Sequence, residues 1–501
     1  MLRVILSTGL ITGVLAGAPA QADTSHIDEA VAQLPGIVEQ MQAKTGVPGI
    51  AVAVVHNDAL VYSGGFGVRN SKGTKPVTAQ TVFQLASVSK SLGASVVAAA
   101  VGKGNLKWHD PVRKFLPGFQ LSEQYPTRNV TVADFYSHRS GLPGFTGNEL
   151  ESFGFDRDTI IERMRYVPLA PFRVTYSYSN FGLTVGGEAA AEASGTTWER
   201  LADRMVFGPL GMDDTSYRHR DFVKQPNRAA LHQQVDGKWV PSAKRQADAQ
   251  APAGGASSTV LDMATWLRMQ LADGRFEGEQ VVAKGPLREA RSLQIRTSPR
   301  SADATDVRGY ALGMNYTVDG TGRVRWGHSG AFTAGAATTY LMIPDLDLGI
   351  VVLTNGWPIG VPEAITETFA DIAETGSSTQ DWLPVLEQAF APFTTPNNTA
   401  FGKKKPADPK PSAPLAAYAG TYSNDYVGTA TVERSGKRLV LRLGPDGQRV
   451  LRLRHWTGNT FAYTAIDLPQ GFTAGVRFNT KAGTMRMEEI EGNLGLLKRN
   501  R

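Results

Sequence analysis

Four residues, Ser87-Val88-Ser89-Lys90, put a hydroxyl and an amine three positions apart. On a helix that spacing sets both side chains on one face, within hydrogen-bonding reach. A serine hydroxyl is a poor nucleophile until a neighbour takes its proton. A desolvated lysine, neutral part of the time, can take it. At a helix N-terminus the dipole also favours the negative charge that develops on the attacking oxygen. This is the only Ser-x-x-Lys in the chain. Taken alone it equally fits a helix cap beside an exposed lysine, because average composition yields about one such tetrad by chance in this length. Other familiar chemistries are missing. There is no cysteine, hence no thiolate zinc site, cysteine nucleophile, disulfide framework or lipoprotein anchor. None of the eight histidines has another four residues on, so there is no His-Glu-x-x-His zinc motif. Gly327-His328-Ser329-Gly330-Ala331 comes nearest to a Gly-x-Ser-x-Gly elbow and fails at its last position. No Gly-rich phosphate loop is present.

Two further groups follow in order: Tyr178-Ser179-Asn180 and His328-Ser329-Gly330. Singly they read as a core tyrosine, a turn asparagine and a structural histidine at a strand end. With Ser87-x-x-Lys90, in this order and at about these separations, the chain resembles the serine β-lactamase and penicillin-binding-protein superfamily. It looks most like the branch of class C β-lactamases, D-Ala-D-Ala carboxypeptidases and esterases. Ser137-His138-Arg139-Ser140-Gly141-Leu142-Pro143, Gly208-Pro209-Leu210-Gly211-Met212, Ala253-Gly254-Gly255, Gly309-Tyr310-Ala311-Leu312-Gly313 and Thr354-Asn355-Gly356 extend the likeness, which runs from about residue 27 to 375.

The resemblance implies roles. Ser87 is the nucleophile that forms an acyl-enzyme, and Lys90 accepts or shares its proton. Tyr178, partly ionised beside Lys90, carries the proton to the leaving group and then activates water. Asn180 hydrogen-bonds Lys90 and the substrate amide. The backbone N–H groups of Ser87 and Ala331 make the oxyanion hole. His328 stands where most β-lactamases of the family have lysine and where carboxypeptidases and several esterases have histidine. It is expected to hold a substrate carboxylate, with a charge that depends on pH, and Gly330 to leave room for substrate beside it. Asp134 lies four before His138, and a local pair satisfying a turn is the expected reading there. Tyr422-Ser423-Asn424 repeats the second motif after His328 and reads as a strand or turn without catalytic part.

These residues need elements to position them. Ile50–Val55 and Leu60–Tyr62 form a hairpin around Asn57-Asp58, and Thr338–Ile343 pairs with Leu348–Leu353 near the other end. Between them lie helical stretches such as Ser91–Val101, stopped by Gly102 and Gly104. The pattern predicts an α+β domain whose sheet is closed by its two termini, and the resemblance implies that this is a β-lactamase-like fold, an antiparallel sheet flanked by helices plus an all-helical region. Residues 395–414, rich in proline and lysine, read as an extended solvated linker. Beyond them Leu439–Leu443, Val450–Leu453, Thr460–Tyr463 and Gly475–Phe478 are short strand-like runs with turns between. They indicate a small antiparallel barrel or sandwich over 415–501, similar to the lipocalin-like domains appended to many such hydrolases. The hydrolase body then spans 23–394. Residues 1–22 read as a secretory signal peptide, with one arginine, an apolar run over Val4–Leu15 and an Ala-x-Ala site ending at Ala22.

Composition agrees with an ordinary globular chain: 501 residues, 42% hydrophobic, 20% charged, net charge +6. The mild basicity comes without an aromatic–basic motif, so no nucleic-acid partner is expected. The mature chain is expected to carry no membrane span, metal or cofactor, and its oligomeric state is open. The whole reads as a periplasmic or secreted serine hydrolase acting on a small peptide, amide or ester. Amide or peptide bonds are favoured, D-residues and free carboxylates being candidate substrate features. An esterase or β-lactamase is the alternative within enzymes. A slow-turnover penicillin-recognising or cell-envelope binding protein is the alternative outside them.

Overall fold

Two apolar strands from opposite ends of the body lie side by side at the centre of the molecule. β1 (Gly49–His56) pairs antiparallel with β8 (Leu348–Thr354), Ile50 opposite Thr354 and Val54 opposite Ile350. A computed structural model describes residues 24–242, 245–298, 306–319, 322–391, 399–400, 403–464 and 473–500 of the chain. The stretch assigned to a signal peptide lies outside these residues.

Alternation along the two strands divides the core. Ile50, Val52, Val54, Ile350 and Val352 face helices α1 (Thr24–Thr45) and α5 (Val361–Thr375), while Ala51, Ala53, Val55, Val351 and Leu353 face the larger helical layer. Each strand is buried on both faces, which is why both read as unbroken β-branched runs rather than as an alternating pattern. The remaining strands are β2 (Ala59–Gly67), β3 (Ile295–Arg296), β4 (Val307–Tyr310), β5 (Asn315–Val318), β6 (Val324–Phe332) and β7 (Ala336–Ile343). The order across the antiparallel sheet is β2-β1-β8-β7-β6-β5-β4-β3. The turn between β1 and β2 holds Asn57 and Asp58 at φ 48° and 57°, as a two-residue hairpin of the right twist requires.

Helices α2 (Ser89–Gly102), α3 (Asn180–Ala193) and α4 (Val260–Leu271) make the second layer. Helix α2 is buried from Ser89 to Ala100, and its small residues let neighbours approach on every side. A Cβ at Gly93 would already meet the Trp198 ring and the Pro252 carbonyl at 3.2 Å.

The tail is a closed eight-stranded antiparallel barrel: β9 (Gly420–Asn424), β10 (Gly428–Ser435), β11 (Arg438–Leu443), β12 (Arg449–Thr457), β13 (Thr460–Thr464), β14 (Thr473–Asn479), β15 (Thr484–Met487) and β16 (Leu496–Arg499). Closure removes every edge strand. Tyr418, Tyr422, Phe461 and Phe478 pack edge to face or tilted and are buried. One end of the barrel rests on the body, where Arg163 donates to the carbonyls of Tyr426 and Val427, both at 3.0 Å.

The expected solvated linker is tied down at two points. The Thr399 backbone N–H and hydroxyl donate to Glu488 at 3.0 and 2.8 Å, and the Thr473 hydroxyl donates to Ala400 O at 2.8 Å. Lys410 N–H donates to the Thr457 hydroxyl, and Lys410 O accepts from Gly458 N–H. Among the described residues between these anchors, Lys403 to Asp408 run exposed. Trypsin is therefore expected to cut the native protein first after Lys403 or Lys404, since the bonds after Lys405 and Lys410 precede proline. The two fragments should co-elute on gel filtration under native conditions. First cleavage within the barrel or the body, or separate elution, contradicts this arrangement.

Candidate active site

The segment that carries Ser87 is forced into an awkward backbone. Ala86, fully buried, has φ 47°, a left-handed conformation that costs a residue with a Cβ about 1–3 kcal/mol. Its neighbours enforce it. Leu85 N–H donates to Ala256 O at 2.8 Å, and the Thr338 hydroxyl of β7 donates to Leu85 O at 2.7 Å. Phe83–Gln84 pairs with Ser257–Ser258 just upstream. The chain then turns once, over Ala86–Val88, directly into α2. Ser87 stands half-buried on that turn with Lys90 one turn further in.

Lys90 has no exposed surface. Its Nζ lies 3.0 Å from Ser87 Oγ, 2.7 Å from Asn180 Oδ1 and 2.8 Å from Ala253 O. Burial lowers its pKa well below the ordinary lysine value. A neutral amine has two N–H donors and one lone pair. The two donors match Asn180 Oδ1 and Ala253 O, which can only accept, and the lone pair is left for the Ser87 hydroxyl proton.

Tyr178 and Asn180 arrive on the approach to α3. Ser179 caps that helix, its side chain accepting Gly182 N–H at 3.1 Å, a contact of a kind worth about 1 kcal/mol. Alternation on either side of the cap sends both Tyr178 and Asn180 toward α2. The Tyr178 hydroxyl donates to Ser87 Oγ at 2.7 Å, and its ring lies 4.7 Å from Lys90 Nζ. Partial ionisation of Tyr178 does not follow. Burial pushes its hydroxyl far above the ordinary tyrosine value, so a neutral phenol donates to the serine oxygen.

His328, Gly330 and Ala331 come from β6. Strand β5 pairs with β6 only as far as Gly327, so the outer edge of β6 beyond it is open to the turn carrying Ser87. A Cβ on Gly330 would meet Leu85 O at 2.2 Å, Thr338 Oγ1 at 2.4 Å and Ser87 N at 3.0 Å. Glycine is thus required for backbone to lie against backbone. The space expected for substrate at Gly330 is occupied by the turn that carries Ser87. Ala331, the next residue, is exposed.

The expected charge on His328 is also corrected. The ring is buried, its Nδ1 lies 2.6 Å from Ser329 O, and its Nε2 lies 2.8 Å from the Tyr310 hydroxyl. A carbonyl only accepts, so the proton sits on Nδ1 and Nε2 accepts from Tyr310. Burial, and next the charge that Lys90 carries when protonated, push the imidazole down to about 3. A neutral ring with both nitrogens engaged offers no cation to a substrate carboxylate.

Sequence reasoning gave no role to three residues that line this cluster. Tyr310, from the Gly309-Tyr310-Ala311 segment, fixes His328. The Ala253 carbonyl, from Ala253-Gly254-Gly255, holds Lys90. His138 has φ 57° and accepts Ser179 N–H on Nδ1 at 3.1 Å. Its ring centroid lies 4.5 Å from that of Tyr178 and 4.8 Å from that of Tyr310. The motif context marked these places, but a backbone oxygen and a ring face leave no signature of their own. Asp134 does not pair with His138. It closes a capping box with Thr131 and binds Arg139 and Arg173, each at 2.8 Å.

Among the described residues no cluster of His, Asp or Glu could hold a metal ion, and no helix is long and apolar enough to cross a membrane. A sheet of this order, with a Ser-Lys-Tyr cluster between it and a helical layer, defines a β-lactamase-like fold. The chain belongs to the Beta-lactamase family, whose sequence profile matches residues 34–374. A second profile, a domain of unknown function called DUF3471, matches residues 404–492. Relatives include the "Unguisins hydrolase ungD" of Aspergillus violaceofuscus, 26% identical over 76% of this chain and 73% of that protein. They also include the D-alanyl-D-alanine-carboxypeptidase/endopeptidase AmpH of Escherichia coli, 23% identical over 64% of this chain and 85% of that one. The solved octameric penicillin-binding protein homologue from Pyrococcus abyssi superposes with a TM-score of 0.62 at 22% identity, over 93% of this chain and 100% of that one. Its likeness lies in the fold.

The neutral state of His328 is directly observable. Unfolded, an imidazole takes a proton below about 6.5. Folded, His328 does not do so until about 3. The folded protein therefore loses stability relative to the unfolded chain as pH falls below about 6.5. Nitrogen chemical shifts of His328 should show one neutral tautomer from about pH 5 to 9. A titration midpoint between 6 and 7 contradicts the assignment.

Proposed function

We propose that this protein is an exported serine hydrolase that cleaves amide or peptide bonds through an acyl-enzyme on Ser87. The observation that carries the reading is the hydrogen-bonded set Lys90–Ser87–Tyr178, 3.0 and 2.7 Å about one oxygen. Ser87 Oγ attacks the carbonyl carbon while its proton passes to the Lys90 lone pair. The oxyanion forms against the Ser87 and Ala331 N–H groups. Tyr178 gives its proton to the leaving nitrogen and regains one from Lys90. Water then reverses the sequence, releasing the acid and restoring Ser87. Asn180 steadies Lys90 throughout and offers its amide to the substrate.

Two considerations favour an amide. A nitrogen leaving group must be protonated as it departs, and Tyr178 lies within reach of it. Relatives named for D-alanyl-D-alanine-carboxypeptidase and endopeptidase action add weight. A neutral His328 removes the expected reader of a free carboxylate, so the reading extends to substrates that carry none. Export rests on the leader read over residues 1–22.

Ser87→Ala should lower hydrolysis of any accepted amide, peptide or ester by about 10⁴-fold or more. A fluorophosphonate should label a single peptide, the one containing Ser87. Near-normal turnover by the variant, or labelling elsewhere, would end this reading. Lys90→Arg separates charge from basicity. Arginine keeps a cation but stays protonated, so it cannot take the serine proton, and labelling should slow by at least about 10²-fold. Labelling at the wild-type rate would show that Lys90 acts only through its charge.

A further inference from the structure

The segment from Phe145 to Ser152 touches two residues of the site. Phe145 N–H donates to Tyr178 O at 2.9 Å, and the two rings lie 5.7 Å apart between centroids. Asn180 Nδ2 donates to Asn148 Oδ1 at 3.3 Å, while its Oδ1 holds Lys90. The placement of Asn180, and through it of the lysine, therefore depends on where this segment sits.

Little within the segment itself would keep it there. Phe145 and Gly147 both have positive φ, 60° and 89°, and Phe145 is 47% exposed. The helix that follows, Asn148–Ser152, has five residues, far too few to be stable alone. The body anchors its far end, where Leu150 is buried and Glu151 accepts from Arg245 and Gln250; the start of the helix is fixed from the barrel. Gly147 N–H, at the N-cap of that helix, donates to the Tyr426 hydroxyl at 3.2 Å, and the same hydroxyl donates its proton to Glu149 Oε1. Tyr426 is buried, and Arg163 grips its carbonyl and that of Val427.

The turn that presents Tyr426 is in its turn shaped by Asn424. That side chain donates to Leu494 O and Leu496 O, at 2.8 and 3.1 Å, and accepts Val427 N–H at 2.6 Å. The repeated Tyr422-Ser423-Asn424 is thus the end of a barrel strand, with Tyr422 in the barrel core, and its asparagine builds the turn.

We propose that Tyr426 is a positioning residue for the active site: the barrel, through one hydroxyl, holds the Phe145–Ser152 segment in the register that orients Asn180 and Tyr178. This rests on Ser87 being the nucleophile. It assigns to the barrel a part in the body's chemistry made within one chain. The hydroxyl has one proton to give and gives it to Glu149, while its lone pair takes the Gly147 N–H at the start of the short helix.

The test uses the full-length protein and a small fluorophosphonate. Tyr426→Phe keeps the ring and deletes only the oxygen. It should slow the labelling of Ser87 by roughly tenfold, in line with the loss of precise placement. It should also speed amide hydrogen exchange in residues 145–152 while leaving the central β1 and β8 amides unchanged. Glu149→Leu removes the acceptor and should give the same two effects, and the double variant should be no worse than either single one. Unchanged labelling and exchange in Tyr426→Phe, or additive losses in the double variant, would overturn the proposal. So would loss of protection across β1 and β8, since that marks general destabilisation in place of local positioning. Wild-type protein that is not labelled at Ser87 would instead refute the catalytic reading on which the proposal stands.

Discussion

An amine stripped of water governs this architecture. Moving a charged ammonium into a dry interior is costly, and the group responds by giving up its proton. That response turns a lysine into a base, but only if no water reaches Nζ and each remaining N–H finds an acceptor. Asn180 Oδ1 and Ala253 O are those acceptors. They come from separate stretches of chain, so α2, the approach to α3 and the Ala253 turn must converge within hydrogen-bond length of one atom. Much of the helical layer can be read as the scaffold for that convergence.

The surrounding groups respect the same electrostatic condition. His138 and His328 are both buried, and both are held neutral by burial, reinforced by the repulsion of any Lys90 charge. Tyr178 and Tyr310 remain phenols for the same reason. The charged side chains sit a step further out, where they brace loops. Asp134, bound by two arginines and a capping box, anchors the segment from which His138 projects. The barrel adds its own brace at Tyr426. A low-dielectric pocket framed by ion pairs can keep fixed dipoles in place without filling the pocket with charge.

What could be read from the sequence follows from what each residue contributes. Ser87, Lys90, Tyr178 and Asn180 were legible because their side-chain atoms lie at fixed spacing, and the structure sets Lys90 and Tyr178 on the Ser87 oxygen with Asn180 behind, on Lys90 Nζ. Gly330 was visible as a glycine, yet its reason was not, because the atoms pressing on it belong to Leu85 and Thr338, far away in the chain. The type of His328 was plain and its charge was not, since that is set by burial and by Tyr310. In the sheet, β1 and β8 announced themselves as unbroken apolar runs. In the barrel, β11 to β14 were legible, whereas β9 reads as either strand or turn and β10, β15 and β16 were not legible. Those four carry Gly, Thr, Ser, Arg or Lys at many positions, and only the closed ladder makes strands of them. Local preference is weak there and tertiary pairing decides.

The pairing of β1 with β8 has a consequence for the birth of the molecule. Ile50 meets Thr354 across roughly 300 residues of intervening chain, a separation that makes closure of the sheet slow. During synthesis the β1–β2 hairpin leaves the ribosome first and must wait, one apolar edge bare, until more than half of the polypeptide has followed. The hairpin cannot complete its sheet early, and its exposed edge is a natural hold for a chaperone and a hazard without one. The barrel needs no such patience. Its strands join mainly to neighbours in sequence, and it can form last and alone upon a body already shut. Order of assembly is thus written into the connectivity, with the turn that carries Ser87 settling late, once β6 and β7 have arrived to press upon it.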